Sequence, residues 1–223
     1  MRALRRHSPS VPPAPRLPLL MLLAVSQLGH VSASPDATTD LADVKALCDL
    51  YASTGGPGWK SSGGGPGWRT CHADGTAAGN PCANKWFGVE CMGTRVTGLI
   101  LSTNGLTGSI PDSIGQLTGL NALDLFSNGL TGSIPDSIGQ LTGLKFLRLY
   151  NNSLTGSIPD SIWQMTGLGW LGLSDNGLTG SIPDSIGQMT ELVFLYLYNN
   201  DLTGSIPDSI GQMTRLRYLD LRF

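Results

Sequence analysis

The sequence predicts an α/β repeat protein, a right-handed solenoid with a parallel β-sheet on its concave face and short 3₁₀ or helical segments on its convex side. Three observations carry this: a strict 24-residue period, apolar residues spaced L-x-x-L-x-L, and an asparagine at one fixed place in every period. The asparagines are Asn104, Asn128, Asn152, Asn176 and Asn200. The nonapeptide Leu-Thr-Gly-Ser-Ile-Pro-Asp-Ser-Ile recurs unchanged at 106–114, 130–138, 154–162, 178–186 and 202–210.

Each element has a physical reason. In Leu120, Leu123 and Leu125 the alternating leucines turn inward from a short strand. One such coil cannot bury its leucines alone, so neighbouring coils stack and their strands form a parallel sheet. The asparagine amide can satisfy backbone groups where the chain bends inward, making a ladder along the stack. Pro111, Pro135, Pro159, Pro183 and Pro207 suit the first turn of a short helical segment. The 30 glycines and 14 prolines fall at regular intervals, so they mark repeats rather than disorder. Residues 96–223 hold five full repeats and a partial sixth, the latter represented by Leu216, Leu219 and Leu221.

Two segments precede the repeats. Residues 1–33 read as a signal peptide: Arg2, Arg5, Arg6 and Arg16 lead an apolar run from Leu17 to Leu28, followed by the small residues Ser32 and Ala33. An organelle transit peptide shares the arginines, but a compact leucine run fits export better, so the chain is expected to be secreted or at the cell surface. Residues 35–95 form a cap domain. Asp40 can cap a helix whose apolar stripe is Leu41, Val44, Leu47, Cys48 and Tyr51. Two near-copies of Gly-Gly-Pro-Gly-Trp, ending at Trp59 and Trp68, read as irregular loop pinned by tryptophans and cysteines. All four cysteines, Cys48, Cys71, Cys82 and Cys91, lie in this cap and read as two disulfides, with three connectivities open. A zinc site fits poorly, because no C-x₂-C pair occurs.

Composition excludes several functions. Without residues 1–33 the chain has 10 basic and 16 acidic residues, a net charge of −6 with no basic run, so nucleic acid is not an expected partner. No segment after the leader is long and apolar enough to span a bilayer. His72 is the sole histidine beyond the leader, and no H-E-x-x-H, G-x-S-x-G or phosphate-binding loop occurs, so no enzyme and no cofactor is expected. The column Asp112, Asp136, Asp160, Asp184 and Asp208 is read as negative charge at helix starts rather than as calcium ligands, so no metal is expected either.

The repeat L-x-x-L-x-L-x-x-N-x-L-x-G-x-I-P resembles the plant-type leucine-rich-repeat family, whose subclass is marked by G-x-I-P, here Gly132 to Pro135. The stretch from Cys82 to Cys91, with Trp86, Gly88 and Val89, resembles the C-x-W-x-G-V-x-C element that opens those ectodomains. Three residues rather than one separate Cys82 from Trp86. The resemblance runs from about Leu41 to the C-terminus and implies extracellular recognition of a peptide, protein or glycan. It also implies a Cys82–Cys91 bridge, which leaves Cys48 for Cys71 and keeps both loops local. The family includes receptor-kinase ectodomains, receptor-like proteins and secreted inhibitors. Two alternatives accompany this reading: a structural or assembly scaffold, and the ectodomain fragment of a longer receptor. The family's C-terminal cap has no counterpart after Leu221, so self-association through that end is expected.

Differences among the repeats locate the candidate site. Three outward positions vary freely while the nonapeptide does not. The first reads Gly98, Ala122, Phe146, Trp170, Phe194 and Tyr218; the second Ile100, Asp124, Arg148, Gly172, Tyr196 and Asp220; the third Ser102, Phe126, Tyr150, Ser174, Tyr198 and Arg222. The predicted ligand-binding set is Phe126, Phe146, Arg148, Tyr150, Trp170, Phe194, Tyr196, Tyr198 and Tyr218, on the concave face. The alternative is that these rings merely stack and support the sheet. Trp170 and Tyr196 are expected to project outward, so that truncating them opens no cavity. Trp163 replaces a glycine of the other repeats and is expected on the exposed outer face. Asn151 opens the one Asn-x-Ser/Thr sequon, making it the glycosylation candidate.

Overall fold

The computed structural model describes residues 38–60, 65–72 and 77–222; the expected signal peptide, residues 1–33, lies outside them. The cap begins with helix α1, Leu41–Ser53, whose first turn is closed by Asp40: the Ala42 amide donates to Asp40 Oδ1 at 2.9 Å. Val44, Leu47, Cys48 and Tyr51 are buried as the stripe predicts, but Leu41, in the opening turn, is 84% exposed among the described residues. Asp43 is buried instead. Its carboxylate accepts from Arg95 Nε and Nη2, both at 3.0 Å, and from the Val96 amide at 2.8 Å, joining the helix to the first strand of the solenoid.

The two glycine-rich copies are not irregular loop. Gly56–Gly58 makes a 3₁₀ turn and Gly65–Trp68 a single helical turn, α2. These turns deliver Trp59 and Trp68 into a ring cluster with Tyr51 and Trp86, where successive ring centroids lie 4.9–5.2 Å apart. A side chain at Gly67 would lie 2.1 Å from Cδ1 of Trp86, so a glycine lets the ring approach. The indole N–H groups of Trp59 and Trp68 donate to the Thr54 and Phe87 carbonyls, at 3.0 and 2.9 Å. Disulfides join Cys48 to Cys71 and Cys82 to Cys91.

The cap passes into the solenoid through strand β1, Val89–Met92, antiparallel to β2, Arg95–Ile100. Parallel strands follow at β4 (Ala122–Asp124), β6 (Phe146–Arg148), β8 (Trp170–Gly172), β10 (Phe194–Tyr196) and β12 (Tyr218–Asp220). The sheet is seven-stranded, in the order β1-β2-β4-β6-β8-β10-β12. Its register matches equivalent residues of successive repeats, as in Phe146 beside Trp170 and Trp170 beside Phe194. The central residue of each inner strand, such as Leu123 or Leu147, points into a leucine core that runs the length of the stack.

A second sheet, unforeseen in the sequence, is built by the Thr-Gly-Ser part of each repeat. Strands β3 (Thr107–Gly108), β5 (Gly129–Gly132), β7 (Ser153–Ser157), β9 (Gly177–Ser181) and β11 (Asp201–Thr203) lie in sequential order. Beyond each strand a 3₁₀ turn starts at an aspartate, at Asp112–Gln116, Asp136–Gln140, Asp184–Gln188 and Asp208–Gln212. In the third repeat the turn is α-helical, α3, Asp160–Trp163. Trp163 is only 1% exposed, contrary to the expectation that it lies on the surface; it folds into the core, where the ring removes a large apolar area from water.

Between strand and second sheet stand the ladder asparagines. Asn152 Nδ2 donates to the carbonyls of Leu125 at 3.1 Å and Leu149 at 3.0 Å, and its Oδ1 accepts from the Leu130 amide at 3.1 Å. Asn128, Asn176 and Asn200 repeat the pattern, so each amide ties its own repeat to the one before it. The residue ahead of each ladder asparagine is left-handed: Thr103, Ser127, Asn151, Asp175 and Asn199 have φ of 51–57°. Such backbone is costly for most side chains and least so for Asn and Asp. These residues make a polar rim along one edge of the larger sheet.

Candidate functional site

The outward residues of β4, β6, β8, β10 and β12 and of the loops just after them build the candidate site. Strand alternation aims Phe146, Trp170, Phe194 and Tyr218 to the same side, and parallel register sets them in one row. The row is a stack. Trp170 and Phe194 have centroids 4.2 Å apart, Phe194 and Tyr218 4.7 Å, and Tyr196 leans on Trp170 at 5.7 Å. A second stack on the flank pairs Phe126 with Tyr150, 4.5 Å apart and 7° from parallel.

Arg148 links Phe146 to the stack. Its guanidinium lies 4.8 Å from the Trp170 ring and 5.7 Å from Phe146, and Nη1 donates to Asp124 Oδ2 at 3.0 Å. Asp124 and Arg148 are one period apart, so register alone makes them neighbours. Asp124 was not foreseen as part of the site, yet the 24-residue spacing of two opposite charges in one column is a signal that could have found it. Burial pushes the Asp124 carboxyl up, against the lowering influence of Arg148 and of the Phe126 backbone N–H. Burial, with the nearby Asp124 charge, also pushes the Tyr150 phenol up to about 12. Tyr196 is raised for the same first reason. Tyr150 and Tyr196 are therefore neutral hydroxyls near neutral pH.

Trp170 does not project freely. It is 5% exposed, sealed by Phe194 on one side and Arg148 on another, and it leans into the space above Gly172. A side chain at 172 would come within 3.2 Å of both Trp170 Nε1 and Tyr150 Cδ1. The expectation that its truncation leaves no cavity is thereby corrected: neighbouring rings bury it although it lies on the sheet's outer side. Tyr218, by contrast, is 50% exposed, and Phe126, Phe146, Arg148, Tyr150, Phe194, Tyr196 and Tyr198 are half-buried. Tyr198 lies under the Arg222 guanidinium at 5.4 Å, and Arg222 pairs with Asp220, holding that carboxyl below its ordinary value.

The resulting face is aromatic and internally neutralised. Its charges, Asp124 with Arg148 and Asp220 with Arg222, are paired with each other. Two buried donors, Arg148 Nε and Trp170 Nε1, have no acceptor among the described residues. Among those residues there is no cluster of three or more metal-ligating side chains, and no helix long and apolar enough to cross a membrane.

Leucine-lined strands, an asparagine ladder and a ring-covered outer face define a leucine-rich-repeat solenoid. Comparison with known proteins agrees: the Leucine Rich Repeat family profile matches residues 95–117, 119–141, 143–165, 167–189 and 191–213, and the chain belongs to that family. It is homologous to plant receptor ectodomains. STRUBBELIG-receptor family 2 of Arabidopsis thaliana is 31% identical over 113 residues, covering 49% of this chain and 13% of that receptor. The ectodomain of the Arabidopsis thaliana receptor kinase SOBIR1 is 28% identical with a TM-score of 0.68, over 83% of this chain and 94% of that one. The ectodomain of the Arabidopsis receptor kinase HAESA, solved with the IDA peptide hormone, is 29% identical with a TM-score of 0.59. It covers 79% of this chain and 32% of that one.

Proposed function

We propose that the chain is a non-catalytic extracellular recognition module that binds a polypeptide across the outer face of the seven-stranded sheet. The observation that carries this is the way the rings are used. Sugars are held largely by stacking on ring faces, but here most faces are already occupied by another ring or by Arg148. What the surface offers is ring edges and tyrosine hydroxyls, which suit the alternating carbonyls and apolar side chains of a polypeptide. HAESA, which shares this fold, was solved with a peptide hormone, and that supports the same ligand class here.

The test is selection of a random peptide library on the immobilised chain, followed by affinity measurements on Tyr196→Ala and Tyr218→Ala. Each truncation is expected to weaken selected peptides roughly thirtyfold, the equivalent of about 2 kcal/mol at a hot spot. Peptides that bind both variants as tightly as the parent would refute the assignment, as would a glycan bound in their place.

A further inference from the structure

The Asn151–Asn152 pair sits at the turn between β6 and β7, and the two asparagines have different chemistry. Asn152 commits both amide hydrogens to the Leu125 and Leu149 carbonyls and its oxygen to the Leu130 amide, inside the stack. Asn151 is exposed on the polar rim. Its Nδ2 makes one contact, donating to Ser127 Oγ at 2.9 Å, with both partners at the surface. The hydroxyl-bearing residue two positions on, Ser153, is exposed as well. No other repeat combines these features: the matching triplets are Thr103-Asn104-Gly105, Ser127-Asn128-Gly129, Asp175-Asn176-Gly177 and Asn199-Asn200-Asp201.

We infer that Asn151 carries an N-linked oligosaccharide, and that this glycan covers the Phe126–Tyr150 flank of the ring face, confining ligand to the row from Phe146 to Tyr218. The inference rests on the extracellular reading above. The donor is a polyprenyl-diphosphate oligosaccharide of the secretory route. Asn151 Nδ2 attacks C1 of its first sugar, the C1–O bond to the diphosphate breaks, Nδ2 loses one proton and the lipid diphosphate leaves. The product amide keeps one hydrogen, enough to preserve the single bond to Ser127. The same modification at Asn152 would remove a hydrogen that the ladder uses. Position and chemistry thus agree on the asparagine of the pair that the sequon selects. Asn151 directly follows Tyr150, and its side chain reaches back to the residue directly after Phe126, so the sugar departs from the rim beside that stacked pair.

The full chain is expressed in a eukaryotic secretory host, and the medium is analysed by peptide mass before and after enzymatic deglycosylation. The enzyme leaves aspartate at the attachment point. Asn151 is expected to be occupied in most molecules, and Ser153→Ala is expected to abolish occupancy while leaving Asn151 and its Ser127 contact in place. Hydroxyl-radical footprinting then compares the two forms. Phe126 and Tyr150 should label at least twofold more in Ser153→Ala, with Tyr218 unchanged. Secreted protein with bare Asn151 overturns the glycan, and equal labelling of Phe126 and Tyr150 overturns the shielding. Retention inside the cell counts against the extracellular reading alone. In that case the full chain placed behind a host secretion signal is tested in the same way, and a bare Asn151 there overturns the inference on its own terms.

Discussion

Trp170 separates the recognition reading from the view that the rings only brace the sheet. Replacing it with alanine removes a stack on Phe194 at 4.2 Å, a tilted contact with Tyr196 and the guanidinium contact of Arg148 at 4.8 Å. The ring pair is worth about 0.5–1.5 kcal/mol and a partly desolvated cation–π contact about 0.5–1 kcal/mol. The residue is 5% exposed, so lost apolar burial adds to these, and the total should reach about 3 kcal/mol, the low end for a buried tryptophan. Tyr218 keeps one ring partner and is 50% exposed, so Tyr218→Ala should cost no more than about 1 kcal/mol. The assay is urea unfolding followed by far-UV circular dichroism and by fluorescence, with coincident transitions required because stacked repeats can unfold in parts. A Trp170→Ala variant within about 0.5 kcal/mol of the parent would refute the sealed-ring geometry. So would a Tyr218→Ala variant that costs as much as Trp170→Ala. The contrast also guides functional tests: loss of binding is informative at Tyr218, where the fold survives, and ambiguous at Trp170, where it is weakened.

Two further predictions follow from the packing. Asn152→Ala leaves the Leu130 amide without its acceptor, whereas the Leu125 and Leu149 carbonyls keep the amides of Asn128 and Asn176, so unfolding should show a loss of about 1–3 kcal/mol. Burial raises the Asp124 carboxyl above its unfolded value, so its protonated form favours the fold. The stability of the parent relative to Asp124→Asn should therefore fall as pH rises from the ordinary carboxylate range through the raised value. Arg148→Met should deepen that fall, and urea titrations showing a rise instead would reverse the argument.

The repeats were legible because identical constraints act many times over. A 24-residue period with leucines at three fixed offsets admits one stacking, and the register of β4, β6, β8, β10 and β12 follows from it. Features that occur once were not legible. Trp163 stands where other repeats have glycine, and the period alone suggests a surface position; the space that admits it exists only once adjacent coils have packed. Asp43 reads as an ordinary first-turn acid of α1, and its partner Arg95 lies 52 residues on. The second sheet was missed because Thr-Gly-Ser contains a glycine in positive-φ backbone, such as Gly132 at 74°, which breaks the two-residue alternation by which strands are recognised. In the cap, glycines read as breakers turned out to clear room for rings, as Gly67 does for Trp86.

The position of the aromatic residues was likewise readable, but their exposure was not, and the difference bears on function. Alternation fixes the side of the sheet on which a ring emerges. Whether that ring is available is decided by its neighbours one period away, at 146, 170, 194 and 218. At 170, 194 and 218 parallel register sets the rings face to face, because adjacent strands lie about 4.8 Å apart, close to the 4.2–4.7 Å of the stacked pairs, while Phe146 and Trp170 are joined through the Arg148 guanidinium. Repetition at this position therefore converts separate sticky side chains into one ribbed wall whose ring faces are spent on each other. Such a wall gains rigidity, since each ring holds the next in its rotamer, and it presents edges and hydroxyls already fixed in space. A ligand that meets it loses little additional freedom from the protein side, which is the condition under which a modest contact area still yields useful affinity. The same stacking ties stability to recognition within the row. Variation that tunes ligand choice is thus tolerated best at its open end, Tyr218, and least at its sealed centre, Trp170.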